Sequence, residues 1–176
     1  MSLNWLLYNL SKNPGTIGVY MTDRYEHVKI FSSKRVLEAV EQSQYLSAIT
    51  LKNKSSISRL PFRNGSNLYM LSAWNDFESA RSIPADFVVV DEMQSINVSA
   101  LPVLTESMVR SRFRKIIKVG TGSDEGDAWW TEWHLGTQYQ WDKNLIDSSG
   151  RQGNWIVTPN TISVPGISSY RIPWDL

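Results

Sequence analysis

The sequence predicts an α/β domain with a mostly parallel sheet, and three observations lead to that prediction. Helix-like and strand-like segments alternate along the 176 residues, which is the order expected of such folds. Residues 87–90 are all apolar, as in a strand that helices cover on both faces. The pair Asn64-Gly65 lies between two strand-like runs, which is typical of a β-hairpin.

In the first part of the chain, turn-forming residues separate helix and strand signals. Residues 4–12 predict a helix that ends before Asn13-Pro14-Gly15, because proline and glycine break helices. Residues 16–21 include β-branched and aromatic side chains, and they predict a short strand. Asp23 is expected to cap the helix that follows, which extends to about residue 42.

The alternation continues through the rest of the chain, with weaker signals after Trp141. The expected elements are strands at 55–62, 67–72, 87–90 and 115–119, and helices at 75–81, 99–110 and 129–135. Residues 4–145 are expected to form the core of one domain. Residues 146–176 contain three prolines, so they are expected to add loops and short strands to the same domain.

The composition excludes several classes of protein. The chain has no cysteine and only two histidines, which excludes disulfides, cysteine-ligated zinc and most other zinc sites. No segment approaches the roughly 20 apolar residues that span a bilayer, so a soluble intracellular protein is expected. The net charge of +1 provides no overall attraction for nucleic acid, and any DNA contact would need a local basic patch.

Two adjacent carboxylates, Asp91 and Glu92, directly follow the apolar strand at 87–90. A Walker B element has this form: one carboxylate holds the hydration shell of Mg²⁺. The second orients the attacking water or accepts its proton. Ligands of open α/β sheets bind outside the carboxyl ends of the strands, where both acids would lie. The pattern is short, and a strand that ends in solvated acids is the alternative.

A second apolar run, residues 116–119, ends in Gly120-Thr121-Gly122. A small hydroxyl residue at a strand end can sense the γ-phosphate of a nucleotide and report its loss to the domain. Taken alone, Thr121 is better explained by an ordinary glycine-rich turn that has no further role. The two strand ends together favour an ATPase.

These motifs, in this order, resemble the ATPase domain of phage large terminases over residues 4–141. The shared features are the hairpin with Asn64-Gly65-Ser66, the pair Ala80-Arg81, the acids Asp91-Glu92, the coupling motif Gly120-Thr121-Gly122 and an aromatic stretch at 129–141. The resemblance implies a P-loop NTPase fold of the RecA-like (ASCE) type. It also implies a hydrolase that couples Mg-ATP hydrolysis to DNA translocation in viral DNA packaging.

The resemblance implies roles for individual residues by their position in the family's motifs. Asp91 would hold Mg²⁺, and Glu92 would act on the attacking water beside the nucleotide. Gly120 and Thr121 would contact the nucleotide, and Thr121 would couple its state to the domain. Arg81 would be offered to a neighbouring subunit's nucleotide.

For Arg81 the alternative is a surface arginine that pairs with Glu78 or Asp86. The resemblance further implies a homo-oligomeric ring on a portal protein, a small terminase subunit that helps to select DNA, and double-stranded DNA as the cargo. It places the bacteriophage protein in the host cell cytoplasm, with no membrane partner.

Two parts of the family's proteins have no counterpart in these residues. No G-x-x-x-x-G-K-[ST] phosphate-binding loop occurs in the sequence, so the backbone cradle and lysine for the phosphates are missing. The family's carboxyl-terminal nuclease is missing too. Because the helix at 4–12 corresponds to the one that follows the loop, the loop is expected just upstream of residue 4. This chain alone is expected to bind no nucleotide tightly and to be inactive.

Two other functions stay open. Asp91-Glu92-Met93-Gln94 resembles a D-E-x-Q helicase box, which would make the chain part of a helicase-like nucleic-acid motor. A non-enzymatic interaction module that has lost its nucleotide site is the other. Two charged clusters have further alternatives. A basic run could contact DNA phosphates, and a solvated helix end and strand edge explains it equally well: Arg110, Arg112, Arg114, Lys115 and Lys118. An acidic cluster could bind a metal, but an exposed loop explains it better: Asp124, Glu125 and Asp127.

Overall fold

The computed structural model of the chain describes residues 2–73, 80–97, 101–121, 128–135, 137–146, 152–158 and 168–171. The chain divides into two compact units, Met1–Thr121 and Gly122–Leu176. The predicted core at residues 4–145 therefore spans nearly all of the first unit and part of the second, and its assignment to one domain stays a prediction.

The first unit contains a five-stranded sheet in the order β2-β3-β1-β4-β5. The strands are β1 (Ile17–Thr22), β2 (Arg59–Pro61), β3 (Asn67–Ser72), β4 (Phe87–Val90) and β5 (Lys115–Lys118). All neighbouring pairs are parallel except β2 and β3, which form the predicted hairpin. The α/β class and the mostly parallel sheet are confirmed.

Helical segments flank this sheet. They are α1 (Ser2–Lys12), α2 (Tyr25–Ile30), a π-helical segment (Phe31–Leu37), α3 (Glu38–Gln42), α4 (Gln44–Ile49) and α5 (Leu101–Ser107). Short 3₁₀ turns lie at Lys52–Lys54 and Met93–Ser95. Of the helix predicted at 75–81, Ala80 and Arg81 are helical and the earlier residues lie outside the described part. No helix in the described ranges is both long and apolar enough to cross a membrane.

The predicted capping role of Asp23 is wrong. Arg24 occupies the residue before α2, and no side chain there accepts a hydrogen bond from the helix backbone. The Asp23 carboxylate instead lies 2.5 Å from Nδ1 of His27. The sequence pattern predicted a cap because an acid that caps a helix and an acid that contacts a histidine in its first turn both precede the helix, and the sequence does not distinguish them.

Strand β4 is the most deeply buried strand of this sheet and lies between β1 and β5. Its four side chains are at most 1% exposed, which explains why the strand is apolar at every position. Trp5 of α1 meets the Phe87 ring edge-on at 5.7 Å, and the Phe113 ring lies 4.8 Å from Phe87. Aromatic side chains thus cover the amino end of β4.

Helix α1 approaches β1 closely at Gly18. Leu6 and Leu10 are fully buried, and a Cβ on Gly18 would lie 3.0 Å from Cδ1 of Leu10 and 3.3 Å from Cδ2 of Leu6. The missing side chain therefore makes room for the two leucines.

The turn of the hairpin holds the carboxyl end of α1. The Asn64 side-chain amide donates to the Leu10 carbonyl at 2.8 Å, and the Ser66 hydroxyl donates to the Asn13 carbonyl at 2.9 Å. Gly15 has a φ of 73°, a left-handed conformation that glycine adopts without strain, in the turn between α1 and β1. The breaker predicted at residues 13–15 is confirmed, and the hairpin supplies partners for the last carbonyls of the helix.

The second unit contains helix α6 (Ala128–His134) and strands β6 (Thr137–Ile146), β7 (Gln152–Thr158) and β8 (Ser168–Arg171). The sheet order is β7-β6-β8. Strand β6 pairs antiparallel with β7 and parallel with β8. The Ser169 hydroxyl donates to the Trp133 carbonyl at 2.7 Å, which connects β8 to α6. Regular structure therefore extends beyond Trp141, where the sequence signals weaken.

We expect Gly18→Val to lower the free energy of unfolding by about 1–3 kcal/mol, because added carbons overpack the contact with α1. Urea unfolding of the purified chain measures this change. Leu10→Ala alone should cost about 2–5 kcal/mol by opening a cavity. The double variant should lose less than the sum of the two, because valine refills that cavity; strictly additive losses would contradict the close contact.

Candidate functional site

Polar residues follow three parallel strands at one edge of the sheet. Asp23 follows β1, the pair Asp91-Glu92 follows β4, and Gly120-Thr121 follows β5. Because parallel strands end at the same edge, the fold brings these residues to the side where ligands of α/β sheets bind. Two backbone hydrogen bonds link the strand ends: Val119 N–H donates to the Val90 carbonyl at 2.8 Å, and Met93 N–H donates to the Val119 carbonyl at 3.0 Å.

Asp91 is half-buried and held from two sides. The Tyr20 hydroxyl donates to Oδ2 of Asp91 at 2.7 Å, and the Glu92 N–H donates to Oδ1 at 3.1 Å. The backbone N–H of Asp91 donates to the Met21 carbonyl at 2.8 Å. The carboxylate direction is therefore fixed before any ligand arrives.

Tyr20 is the support of Asp91 that sequence reasoning missed. Its side chain is 3% exposed, and its ring stacks on Phe31 with 3.5 Å between centroids and 3° between planes. Burial first, and then the hydrogen bond and charge of Asp91, raise the pKa of the Tyr20 hydroxyl far above its usual range. The hydroxyl therefore stays protonated and acts as a donor. The sequence shows a tyrosine within a strand-like run, and nothing in it marks the contact with Asp91.

Glu92 has a strained backbone. Its φ of 53° and ψ of 44° lie in the left-handed region, which is uncommon for a residue with a Cβ and is often found at functional sites. Its Oε2 accepts a hydrogen bond from Nε2 of Gln94 at 2.6 Å. The other end of that amide, Oε1 of Gln94, accepts from the backbone N–H of Thr121 at 3.2 Å.

The fit of a magnesium ion rests on Asp91. Each of its carboxylate oxygens has one protein donor, so each keeps a lone pair for a metal or its water. Mg²⁺ usually binds one or two carboxylates and completes its shell with water and phosphate oxygens. No cluster of three or more metal-ligating side chains occurs among the described residues. The acids therefore fit a magnesium that arrives with a phosphate, whereas the sequence contains no phosphate-binding loop of the G-x-x-x-x-G-K-[ST] kind.

Arg81 is the predicted site residue that the strands do not bring to this edge. It is exposed and lies on the connection that leads to the amino end of β4. A contact with a neighbouring subunit does not require it to be near Asp91 of its own chain. That role stays a prediction.

Asp23 and His27 form a second polar cluster beside the site. The Asp23 carboxylate lies 2.5 Å from Nδ1 of His27 and accepts from the Thr22 hydroxyl at 3.2 Å. Burial raises the pKa of Asp23, but the hydrogen bond and charge of His27, with the Arg24 N–H and the Thr22 hydroxyl, lower it more, and the net pKa is lowered. In the sequence, the acid precedes the helix by two residues and the histidine lies in its first turn, four residues after the acid.

The basic run lies at the opposite edge of the sheet. Arg110, Arg112, Arg114 and Lys115 are exposed and precede or begin β5. Arg114 has a φ of 46°, and its guanidinium donates to the carbonyls of Val109 and Ser111. Arg114 thus stabilises the turn after α5, and the Arg112 guanidinium lies over the Phe113 ring, 4.8 Å from its centroid. The predicted acidic cluster at 124–127 lies outside the described residues.

Solved structures with a similar fold include one domain in two forms. The Thermus phage P74-26 large terminase ATPase domain matches with a TM-score of 0.63 and 19% identity, over 96% of this chain and 68% of that one. An arginine-to-alanine mutant of that domain matches with a TM-score of 0.61 and 17% identity, over 96% and 69%. No family model and no curated protein matches the sequence. The terminase ATPase fold that the motifs indicated is therefore confirmed.

We expect Asp23→Asn to destabilise the chain by about 1–3 kcal/mol at pH 7, because it leaves the partners of a buried carboxylate incompletely satisfied. Because the pKa of Asp23 is lower in the folded chain than in the unfolded chain, its carboxylate stabilises the fold at pH values above the unfolded pKa of about 3.9. This contribution to the free energy of unfolding is lost as the pH falls through the folded pKa. Denaturant unfolding from pH 7 to pH 2.5 should show a smaller acid-dependent loss in the variant. Glu38→Gln, at an exposed position on α3, is the control; equal acid profiles for all three proteins would contradict the prediction.

Proposed function

We propose that this chain is the ATPase module of a bacteriophage large terminase subunit, and that the protein containing it uses Mg-ATP hydrolysis to move double-stranded DNA into a procapsid. One observation supports this more than any other. Two acids, Asp91 and Glu92, stand at the tip of a fully buried parallel strand beside Gly120-Thr121, in a chain with the terminase ATPase fold.

The two acids suit different tasks. Asp91 is held rigidly by Tyr20 and would bind the hydrated Mg²⁺ of the nucleotide. Glu92 projects from a strained turn and is held by a single neutral amide, so it can turn toward a water molecule. Orientation of the attacking water is the step at which a carboxylate contributes to phosphoryl transfer to water.

The proposal needs a phosphate-binding loop from outside these 176 residues. Bound ATP would supply the phosphoryl chemistry, and the loop would hold the β- and γ-phosphates next to Mg²⁺. Sequencing of the source DNA upstream of the first codon tests this requirement directly. A strand followed by G-x-x-x-x-G-K-[ST] in frame supports the proposal, and its absence from the gene and from any partner protein would refute it.

In the full gene product we expect Glu92→Gln to lower ATP turnover by about 10²–10⁴-fold, because the water loses its base or orienting group. Its affinity for Mg-ATP should stay close to that of the unchanged protein. Asp91→Asn should weaken the magnesium dependence of nucleotide binding as well as turnover. Glu106→Gln, an exposed acid on α5, is the matched control. Full turnover in Glu92→Gln would favour the interaction module that has lost its nucleotide site.

Double-stranded DNA is the proposed cargo, and the exposed basic residues before β5 are its proposed contact. Arg110, Arg112 and Lys115 lie on one short segment, and contacts of this kind are made with phosphates irrespective of sequence. A homo-oligomeric ring, the portal protein and a small terminase subunit complete the proposed motor. Arg81 is proposed to reach the nucleotide of a neighbouring subunit in that ring.

We expect Arg112→Ala with Lys115→Ala to weaken binding to double-stranded DNA and to reduce the slope of log K against log salt by about 2, one for each lost phosphate contact. Fluorescence anisotropy over a range of salt concentrations measures both quantities. Lys52→Ala with Lys54→Ala removes the same charge from another exposed segment. If both pairs weaken DNA binding equally, the effect comes from net charge and the proposed contact is wrong.

A helicase-like motor is the second candidate, and Gln94 is the observation that favours it. The Gln94 amide donates a hydrogen bond to Glu92, so the glutamine and the second acid of the D-E-x-Q pattern are in direct contact. Unwinding assays on the full gene product separate the two motors: strand separation favours a helicase, and translocation without strand separation favours a packaging motor.

A further inference from the structure

Gln94 joins the two strand ends of the candidate site. Its side-chain Nε2 lies 2.6 Å from Oε2 of Glu92, and its Oε1 lies 3.2 Å from the backbone nitrogen of Thr121. One planar amide therefore contacts the catalytic acid of the proposed reaction at one end and the turn after β5 at the other. Because the amide is planar and rigid, a movement of the Thr121 N–H turns the amide and so changes the direction of its hydrogen bond to Glu92, and the reverse also holds.

The turn after β5 is shaped to admit this amide. A Cβ on Gly120 would lie 2.6 Å from Oε1 of Gln94 and 3.2 Å from the backbone nitrogen of Met93. Met93 N–H also donates to the Val119 carbonyl at 3.0 Å, so the backbone fixes the distance between the two loops. Glycine at position 120 is thus explained by the space that the Gln94 side chain occupies.

The amide contacts a residue that is already strained. Glu92 has a left-handed backbone, and a 3₁₀ turn at Met93–Ser95 follows it directly. Such a conformation is unfavourable for a residue with a Cβ and persists only where the surroundings hold it. The hydrogen bond from Gln94 to the Glu92 carboxylate is one of the contacts that hold it.

We propose that Gln94 is a positioning residue that transmits the position of the Gly120-Thr121 turn to the carboxylate of Glu92. The inference rests on the proposed function, because it names how the state of the nucleotide at that turn would set the direction of the acid. When the turn moves, the Thr121 N–H takes Oε1 with it, and Nε2 then releases or redirects Glu92. Gln94 acts only through Glu92.

The first test uses the 176-residue chain without nucleotide. In NMR spectra, the Nε2 proton resonances of Gln94 should move when Glu92 is replaced by glutamine, because the carboxylate that accepts their hydrogen bond is lost. Gln94→Met keeps the length of the side chain and removes both polar atoms, so hydrogen exchange of the Thr121 amide should become at least several-fold faster. Gln42→Met, at an exposed position on α3, should leave that exchange unchanged.

Gly120→Ala provides a second, independent route to the same state. The added methyl group displaces Oε1 of Gln94, which is the end of a flexible side chain. It also lies 3.2 Å from the nitrogen and Cβ of Met93, which need to move by only a few tenths of an ångström, so the chain should stay folded. Exchange of the Thr121 amide should rise as in Gln94→Met, and the double variant should show no further increase. Additive increases, or an unchanged Thr121 amide in both single variants, would overturn the proposed link.

The second test uses the full gene product. Gln94→Met and Gly120→Ala should each lower kcat about tenfold, with KM for ATP changed less than twofold, and the double variant should resemble either single one. If Glu92→Gln abolishes turnover while these variants keep full kcat, the role of Gln94 is wrong and the ATPase stands. If Glu92→Gln itself keeps full turnover, the proposed function fails, and the NMR result alone then decides whether the link exists.

Discussion

Strand β4 has no side that faces solvent, and the rest of the first unit follows from that constraint. A buried strand must satisfy its backbone N–H and C=O groups within the protein, and β4 does so by pairing with β1 on one edge and β5 on the other. Parallel pairs need crossover connections, which place helices over the faces of the sheet. The same pairing brings the ends of the three strands together. Burial at positions 87–90 thus determines where Asp91 can be.

The two acids that follow β4 are alike in chemistry and differ in surroundings. Asp91 accepts a hydrogen bond from Tyr20, whose ring is fixed by stacking on Phe31. Glu92 accepts a hydrogen bond from the Gln94 amide, which in turn contacts Thr121 after strand β5. A rigid acid beside an adjustable one is an arrangement in which one group can keep a metal in place while the other responds to the reaction. The difference in rigidity between the two acids therefore comes from the side chains around them and not from the acids themselves.

Features carried by local sequence were predictable, and features carried by contacts across the sheet were not. The hairpin at Asn64-Gly65, the helix end before Asn13-Pro14-Gly15 and the buried strand each leave a pattern within a few residues, so they could be predicted directly. The Tyr20 contact with Asp91 joins positions 71 residues apart, and nothing local marks it. Asp23 shows the opposite failure: a local capping pattern was present, but a stronger partner four residues away takes the carboxylate.

The left-handed backbone of Glu92 has a consequence for how this chain would evolve. An L-residue with a Cβ costs about 1–2 kcal/mol in that conformation, whereas glycine adopts it freely and asparagine more easily than glutamate. Selection for a stable chain alone would therefore replace glutamate at this position. In a lineage that needs no carboxylate at position 92, replacement of this glutamate by glycine or asparagine would make the protein more stable, so the fold itself would not oppose the change.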